Sequence, residues 1–509
     1  MAEPSAPFLL SPARLDQLPD EVRRPDYRFA EHGVGVVHLG LGAFHRAHQA
    51  IYLDDLMARK GGNWRSLGVS MRSPSVRERL RPQNGVYCVA ERSPEREELR
   101  VSGALADILY LAEEHDAVLE ALAAPATRIV TLTVTEKGYG GDAEGGIDPA
   151  DLDLAHDLLH PERPRSAVGL IVEGLARRRA RGLDPFTAIS CDNLPANGVR
   201  LARLVITLAE RRDPALADWI ARVARFPSSM VDRIVPATTS DDLARFERAT
   251  GFHDAGLVVT EPFRQWVVED SFVGERPELE AVGVELVREV GPYEAAKLRL
   301  LNGSHSAMAY LGLLAGYDHV HEVMADPLLT AFIEQLMAAE LAPTLSPTPG
   351  FDLDIYQTIL LRRFRNAALP HKTRQIAADG TLKLPGRIIA PLIERLRAGL
   401  SAPGLTLVAA AWMRHMLGRD PQGGRYEVAD PYASALQAIW WRCGDPDAVA
   451  SALLDIDRVF GPDLRDHSGF RRDLSAALRR LIERGPRAAM RHVLERREAA
   501  AQQVEGDPV

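Results

Sequence analysis

The sequence predicts an α/β protein: an N-terminal Rossmann-like, doubly wound sheet domain over residues 1–288 and a mostly α-helical C-terminal domain over residues 289–509. Three observations predict it. Short β-branched runs alternate with helical segments through the first half, the pattern of a parallel sheet wound on both faces. One of those runs leads through a glycine turn into a helix. From about Gly291 onward the strand signals fade and helices follow one another.

Composition bounds the function classes. A chain of 509 residues, 46% hydrophobic and 26% charged, is an ordinary globular protein with two or more domains. Its net charge of -9 argues against nucleic acid or an anionic membrane as partner. The three cysteines, Cys88, Cys191 and Cys443, are far apart and give neither a disulfide framework nor a metal spacing. A reducing, cytoplasmic setting fits them. The first residues, MAEPSAPFLL, lack the basic start and apolar run of a signal peptide. No apolar run reaches the roughly 20 residues that a membrane span needs.

The elements follow in order. Val34 to Gly40 is a buried-strand pattern that runs into Gly40-Leu-Gly42-Ala-Phe44-His45, and a helical pattern covers Ile51 to Met57. Gly40 suits a tight turn and Gly42 lets a pyrophosphate approach the backbone. The third glycine of the dinucleotide fingerprint is absent, and His45 holds its place. By itself the pattern fits a plain strand-to-helix turn as well. A second strand, Ser66 to Met71, ends in Arg72-Ser73-Pro74-Ser75, where an NAD-binding unit usually carries an acid; Arg72 would tolerate a 2′-phosphate. Strands at Arg128 to Val134 and Pro185 to Ser190 end in Thr135-Glu136-Lys137 and Cys191-Asp192-Asn193. Ligands in open α/β sheets sit outside such strand ends. Phe226 to Thr239 is strand-like with Asp232 inside, either a site residue or a turn aspartate. Leu257 to Phe272 reads as a domain-joining segment. Beyond Gly291, helices are expected at His321 to Leu341, Asp354 to Arg365, Ile388 to Leu396, Leu405 to Leu417, Tyr432 to Trp441 and Pro446 to Phe460. Two more follow at Phe470 to Arg484 and Pro486 to Ala501, and the last residues, EGDPV, are expected to fray.

The stretch GPYEAAKLRLLNGSHSAMAYLG carries the chemistry. On an α-helix Lys297, His305 and Asn302 project at about 0°, 80° and 140° and share one side. A lysine in apolar surroundings has a depressed pKa and can accept a proton. An amide beside it can donate to an oxygen that gains charge. A solvated helix edge would carry the same residues. Gly303 implies a close approach to the backbone, by a ligand or by a crossing helix. Pro370-His371-Lys372-Thr373-Arg374-Gln375, followed by Lys383, is dense in cations and amides, and fits a substrate contact or a solvated face.

Seven stretches in order, VVHLGLGAFHRAHQA, NGVYCVAER, LTVTEKGY, SCDNLPANG, MVDRIVP, EPFRQWVVED and PYEAAKLRLLNGSH, resemble the polyol-specific long-chain dehydrogenase (mannitol dehydrogenase) family. The likeness spans about Val34 to Phe460. It implies an NAD-dependent, metal-free oxidoreductase of CH–OH groups, with NADP as an alternative cofactor. By the resemblance, Gly40, Gly42 and Phe44, with Arg72 and Val231, meet the cofactor. Lys297 is the general base, Asn193 and Asn302 hold the reacting oxygen, and His305 positions the substrate. Asp232 and Lys383 touch substrate, and Glu294 with Glu136 marks a proton path. Mannitol members tend to carry acids where Pro74 and Ser75 stand and an arginine where Gln375 stands. The neighbourhood of His371 and Gln375 resembles the fructuronate reductase branch, so the expected substrate is a sugar acid whose carboxylate meets Arg374, Lys372 or His371. Mannitol 2-dehydrogenase, a sugar-phosphate dehydrogenase and a non-catalytic nucleotide sensor are the alternatives. The chain is expected to be a monomer or weak oligomer acting on a small polyol or sugar acid.

Overall fold

The first unit is built outward from one buried strand. Val34, Val36, Val37 and Leu39 make β1 (Val34–Leu39), and their branched side chains suit a strand covered on both faces. The computed structural model describes residues 7–141, 146–148, 150–420 and 423–505; the expected fraying at residues 506–509 lies outside them. After β1 come α1 (Ala43–Ala47), α2 (Gln49–Lys60) and β2 (Arg65–Ser70). A hairpin of β3 (Tyr87–Arg92) and β4 (Glu97–Ser102) leads to β5 (Leu105–Tyr110) and β6 (Ile129–Leu132). Then follow α3 (Ala167–Ala180), β7 (Thr187–Ser190), α4 (Asn197–Arg212), β8 (Ser229–Asp232), β9 (Val258–Thr260) and β10 (Gln265–Glu269).

The main sheet is parallel and runs β5-β2-β1-β6-β7. Chain winding reverses between β1 and β6, which makes that crevice the switch point of a doubly wound sheet. Side chains alternate across β1. Val37 and Leu39 join the core made with α3, and Val36 joins the opposite core with Tyr52 and Leu53 of α2. His38 shares the side of Val36. Its Nδ1 lies 2.8 Å from Thr131 Oγ1 and its Nε2 3.0 Å from Thr133 Oγ1. The ring of His45 stacks on it at 3.6 Å. His48 Nε2 donates to the Gln265 carbonyl at 2.8 Å.

One strand escapes the sequence pattern, and one expectation needs correction. Leu105–Tyr110 is a sheet strand that the pattern hid, because it is an edge strand. Its Asp107 needs no buried partner and pairs with exposed Arg81 at 3.2 Å. The supposed joining segment 257–272 is instead two strands of the first unit. β9 pairs with β3, and β10 pairs with β8 and with Glu285–Val287. The charges that made it look like a linker are internal partners. Glu261 accepts from the Ile234 amide at 2.7 Å, and Arg264 meets Asp55 at 2.5 Å.

The chain divides into two units, Met1–Gly291 and Pro292–Val509. The second is helical. α5 (Gly291–Ala296) continues through a π-helical stretch, Lys297–Gly303, into α6 (Ser304–Ala315). Later elements include α7 (Leu353–Phe364), α8 (Thr373–Ala377), α9 (Gly380–Leu384), a second π stretch Pro385–Ile389, α10 (Pro403–Met416) and α11 (Ser468–Glu505). α10 is the buried helix expected near Leu405, with Trp412 fully enclosed. α11 bends where the sequence divides it, at Gly485 (φ 77°) before Pro486. Among the described residues no helix is long and apolar enough to cross a membrane.

The histidines set the pH response of this fold. Burial lowers His38 and His48 to about 3 and His415 to about 4, and it lowers His45 as well. Each stays neutral when folded but takes a proton when unfolded below about pH 6.5. Stability is therefore full above that pH and falls as acid is added, by about 2 kcal/mol per histidine by pH 5. Thermal unfolding from about pH 7.5 to about pH 5 should show a steep loss of Tm that is shallower in His48→Gln; a flat profile would contradict this.

Candidate active site

The first unit holds a crevice at the switch point. Gly40 has φ +90°, and a Cβ there would overlap the Thr133 carbonyl at the end of β6. Only glycine fits. Gly42 is extended (φ -126°, ψ -169°), and a Cβ there would meet nothing nearer than the Gly40 carbonyl at 3.9 Å. Its flank is therefore open to a ligand. Phe44 stacks on His48 at 5.0 Å. A cavity of about 260 Å³ opens along Gly40, Met71, Arg72, Thr135, Arg165 and Ser166. Glycine backbone, an open flank and two cations fit a dinucleotide pyrophosphate. Arg72 is exposed and pairs with Asp153 at 2.8 Å.

Beside the crevice, Asp192 fixes the turn that carries Asn193. Its carboxylate accepts from Val134 N (3.1 Å), Thr135 N (2.8 Å) and Tyr139 Oη (2.9 Å). Burial still raises its pKa. Those bonds hold Thr135 at φ 65°, a strained angle for a branched residue. Asn197, which the sequence reading passed over, joins this turn to β8. Its amide donates to Asp192 O (2.9 Å) and Ser229 O (2.7 Å) and accepts from Ser229 N (2.9 Å). β8 then presents Val231 and Asp232, both buried. Glu136 is exposed, 3.8 Å from Arg200. Next to Asp232, the Arg233 guanidinium is fully enclosed. It donates to the carbonyls of Ala47 and Glu261 and pairs with Glu91 at 2.5 Å.

The second unit carries Lys297, Asn302 and His305. The expected α-helix is corrected here: Lys297–Gly303 is π-helical, with i→i+5 bonding. Residues five apart then stand about one turn apart, so Lys297 and Asn302 lie closer in angle than on an α-helix. The cause lies in the packing. A Cβ on Gly303 would stand 3.0 Å from the Arg387 carbonyl of the second π stretch, which is the helix crossing that Gly303 implied. Lys297 and His305 are buried, and Glu294 precedes Lys297 by three residues. His305 packs against Phe364 at 4.9 Å and meets His371 edge-on at 5.3 Å. Burial lowers the His371 pKa.

The cation-rich loop separates. Arg374 is exposed and lies over the Tyr426 ring at 5.1 Å, while Lys372 and Gln375 are also exposed. Lys383 donates to Ala378 O at 2.6 Å, and its pKa is lowered by burial and by Arg387. Arg387 itself escaped the sequence reading; the Lys383-x-x-x-Arg387 spacing in an apolar helix was its signal.

Comparison with known proteins agrees with this architecture. Residues 34–281 match the mannitol dehydrogenase Rossmann domain, and residues 289–482 match the mannitol dehydrogenase C-terminal domain. The chain is 42% identical to the D-mannonate oxidoreductase of Escherichia coli, over 92% of this chain and 97% of the relative. It is 40% identical to a mannitol 2-dehydrogenase of Pyrenophora tritici-repentis, over 95% and 86%. The solved Pseudomonas fluorescens mannitol 2-dehydrogenase, a ternary complex with NAD and D-mannitol, aligns with TM-score 0.83 at 37% identity, over 96% of this chain and all of that one.

The two glycines should respond differently to a methyl group. Gly40→Ala should cost about 1–3 kcal/mol, from a positive φ and a carbonyl overlap. Gly42→Ala should change stability by less than about 0.5 kcal/mol. Chemical denaturation of both variants checks this; equal losses would contradict the geometry.

Proposed function

Because this chain belongs to the mannitol dehydrogenase family, we propose that it interconverts a secondary alcohol and a ketone on a linear sugar acid, D-mannonate and D-fructuronate. The observation that carries the mechanism is the π turn that brings buried Lys297 and Asn302 to one side of the helix. Gly40, Gly42 and Phe44 would hold the nicotinamide dinucleotide, which supplies the hydride acceptor when bound. In oxidation, neutral Lys297 accepts the hydroxyl proton as hydride leaves the same carbon. Asn193 and Asn302 donate to the oxygen as it becomes alkoxide-like, then ketone. His305, supported by His371 and Phe364, orients the chain, and Asp232 accepts from a neighbouring hydroxyl. Glu294, a turn before Lys297, passes the proton toward solvent. This chemistry needs no metal, so dialysis against a chelator should leave turnover unchanged.

Identity to a D-mannonate oxidoreductase and the cations on the Lys383 helix support the sugar-acid reading. Similar identity to mannitol 2-dehydrogenases supports the neutral polyol as the second reading. The end of β2 lacks an acid for the ribose hydroxyls and carries Arg72, so NAD and NADP both merit assay.

Lys297→Ala should lower turnover by several powers of ten while dinucleotide binding stays near wild type; retained turnover would remove the base. Asn302→Ala should lower turnover by about 10²–10³, whereas a change confined to KM would contradict an oxyanion role. Cofactor reduction with D-mannonate, D-mannitol and D-arabinitol decides the substrate. Turnover on the neutral polyols alone would move the function to mannitol oxidation.

A further inference from the structure

We infer that Arg387 is the residue that recognises the substrate carboxylate and so separates sugar acids from neutral polyols, an inference that rests on the sugar-acid reading above.

Arg387 straddles the catalytic helix. Its backbone carbonyl sits against Gly303, and its guanidinium donates to Ser306 Oγ at 3.3 Å. Ser306 Oγ in turn donates to the Asn302 carbonyl at 3.1 Å. The guanidinium therefore lies about one helical turn beyond Asn302, on the side that also carries His305. It is half-buried, yet among the described residues no carboxylate pairs with it. Its charged neighbour is another cation, Lys383, which Arg387 disfavours in the charged form and which Asp379, 3.9 Å away, and Asp430 favour. Burial weakens the Arg387 charge as well. A half-desolvated guanidinium facing a like charge is costly unless an anion joins it. A carboxylate suits it because the guanidinium fork offers paired N–H donors.

The length also suits the substrate. In D-fructuronate the carboxylate is four bonds from the ketone carbon, about 5 Å when extended. One helical turn is about 5.4 Å. With the reacting oxygen at Asn302, the far carboxylate reaches the level of Ser306. The cations favoured by charge count alone are less suited: Arg374 is exposed and engaged with Tyr426, and Lys372 is exposed.

The test compares D-mannonate with its neutral amide, D-mannonamide, and with D-mannitol in wild type and Arg387→Gln. The variant should lose at least about 30-fold in kcat/KM on D-mannonate, as for a buried charged pair that loses one partner. The loss should fall on KM, because the carboxylate is remote from the reacting carbon. Rates on the two neutral substrates should stay within about threefold, and Arg387→Lys should recover part of the loss. If the glutamine variant does not fold, Arg387→Met keeps the apolar stem in place and carries the same comparison. Equal losses on charged and neutral substrates, or no loss on D-mannonate, overturn the role of Arg387 alone. Wild-type turnover of D-mannitol without D-mannonate overturns the sugar-acid reading and the carboxylate role with it.

Discussion

The enclosed guanidinium of Arg233 is the interaction on which the nucleotide half depends. A charge removed from water is tolerable only when every donor is met. Here the Ala47 and Glu261 carbonyls and the Glu91 carboxylate meet it. Those partners come from the glycine-turn segment, the end of the strand at residue 258 and the hairpin respectively. Four separate stretches of sequence are thereby tied at one point, immediately beside Asp232. Burial weakens the charge, and Glu91 opposes that effect. Removing either partner would leave the other ion stranded in the interior, so the knot closes as a unit.

In the helical half the corresponding constraint is steric. Gly303 lets a second π stretch press its carbonyl against the helix of Lys297. That crossing sets Arg387 beside the turn that carries Ser306. His305 packs against the rings of Phe364 and His371, and that packing helps to set its orientation.

Much of this was legible in the sequence, for identifiable reasons. Valine-rich β1, the Gly40 turn and the Gly485–Pro486 bend follow from local backbone chemistry, which short windows express well. The division into a sheet half and a helical half follows from periodicity. β5 was hidden because an edge strand is allowed an aspartate. β9 and β10 were hidden because their charges are internal and mimic a linker. Neither the π turn nor the partners of Asn197 could be read, since both depend on what packs against them from elsewhere in the chain. The directions of the cation cluster near His371 were not legible for the same reason: charge density gives no direction, and it is the ring of His371 that meets His305.

The π turn has an evolutionary corollary. A π turn amounts to an α-helix carrying extra residues without a break in the rod. Deleting one residue between Lys297 and Gly303 would let the helix relax to ordinary winding and remain continuous. Residues beyond Gly303 would keep their place on the rod, while the wide turn that sets the spacing of Lys297 and Asn302 would close. Helix content and composition would hardly change. Within the seven residues Lys297–Gly303, losing one residue therefore alters the spacing of the polar side chains and spares the helix around them.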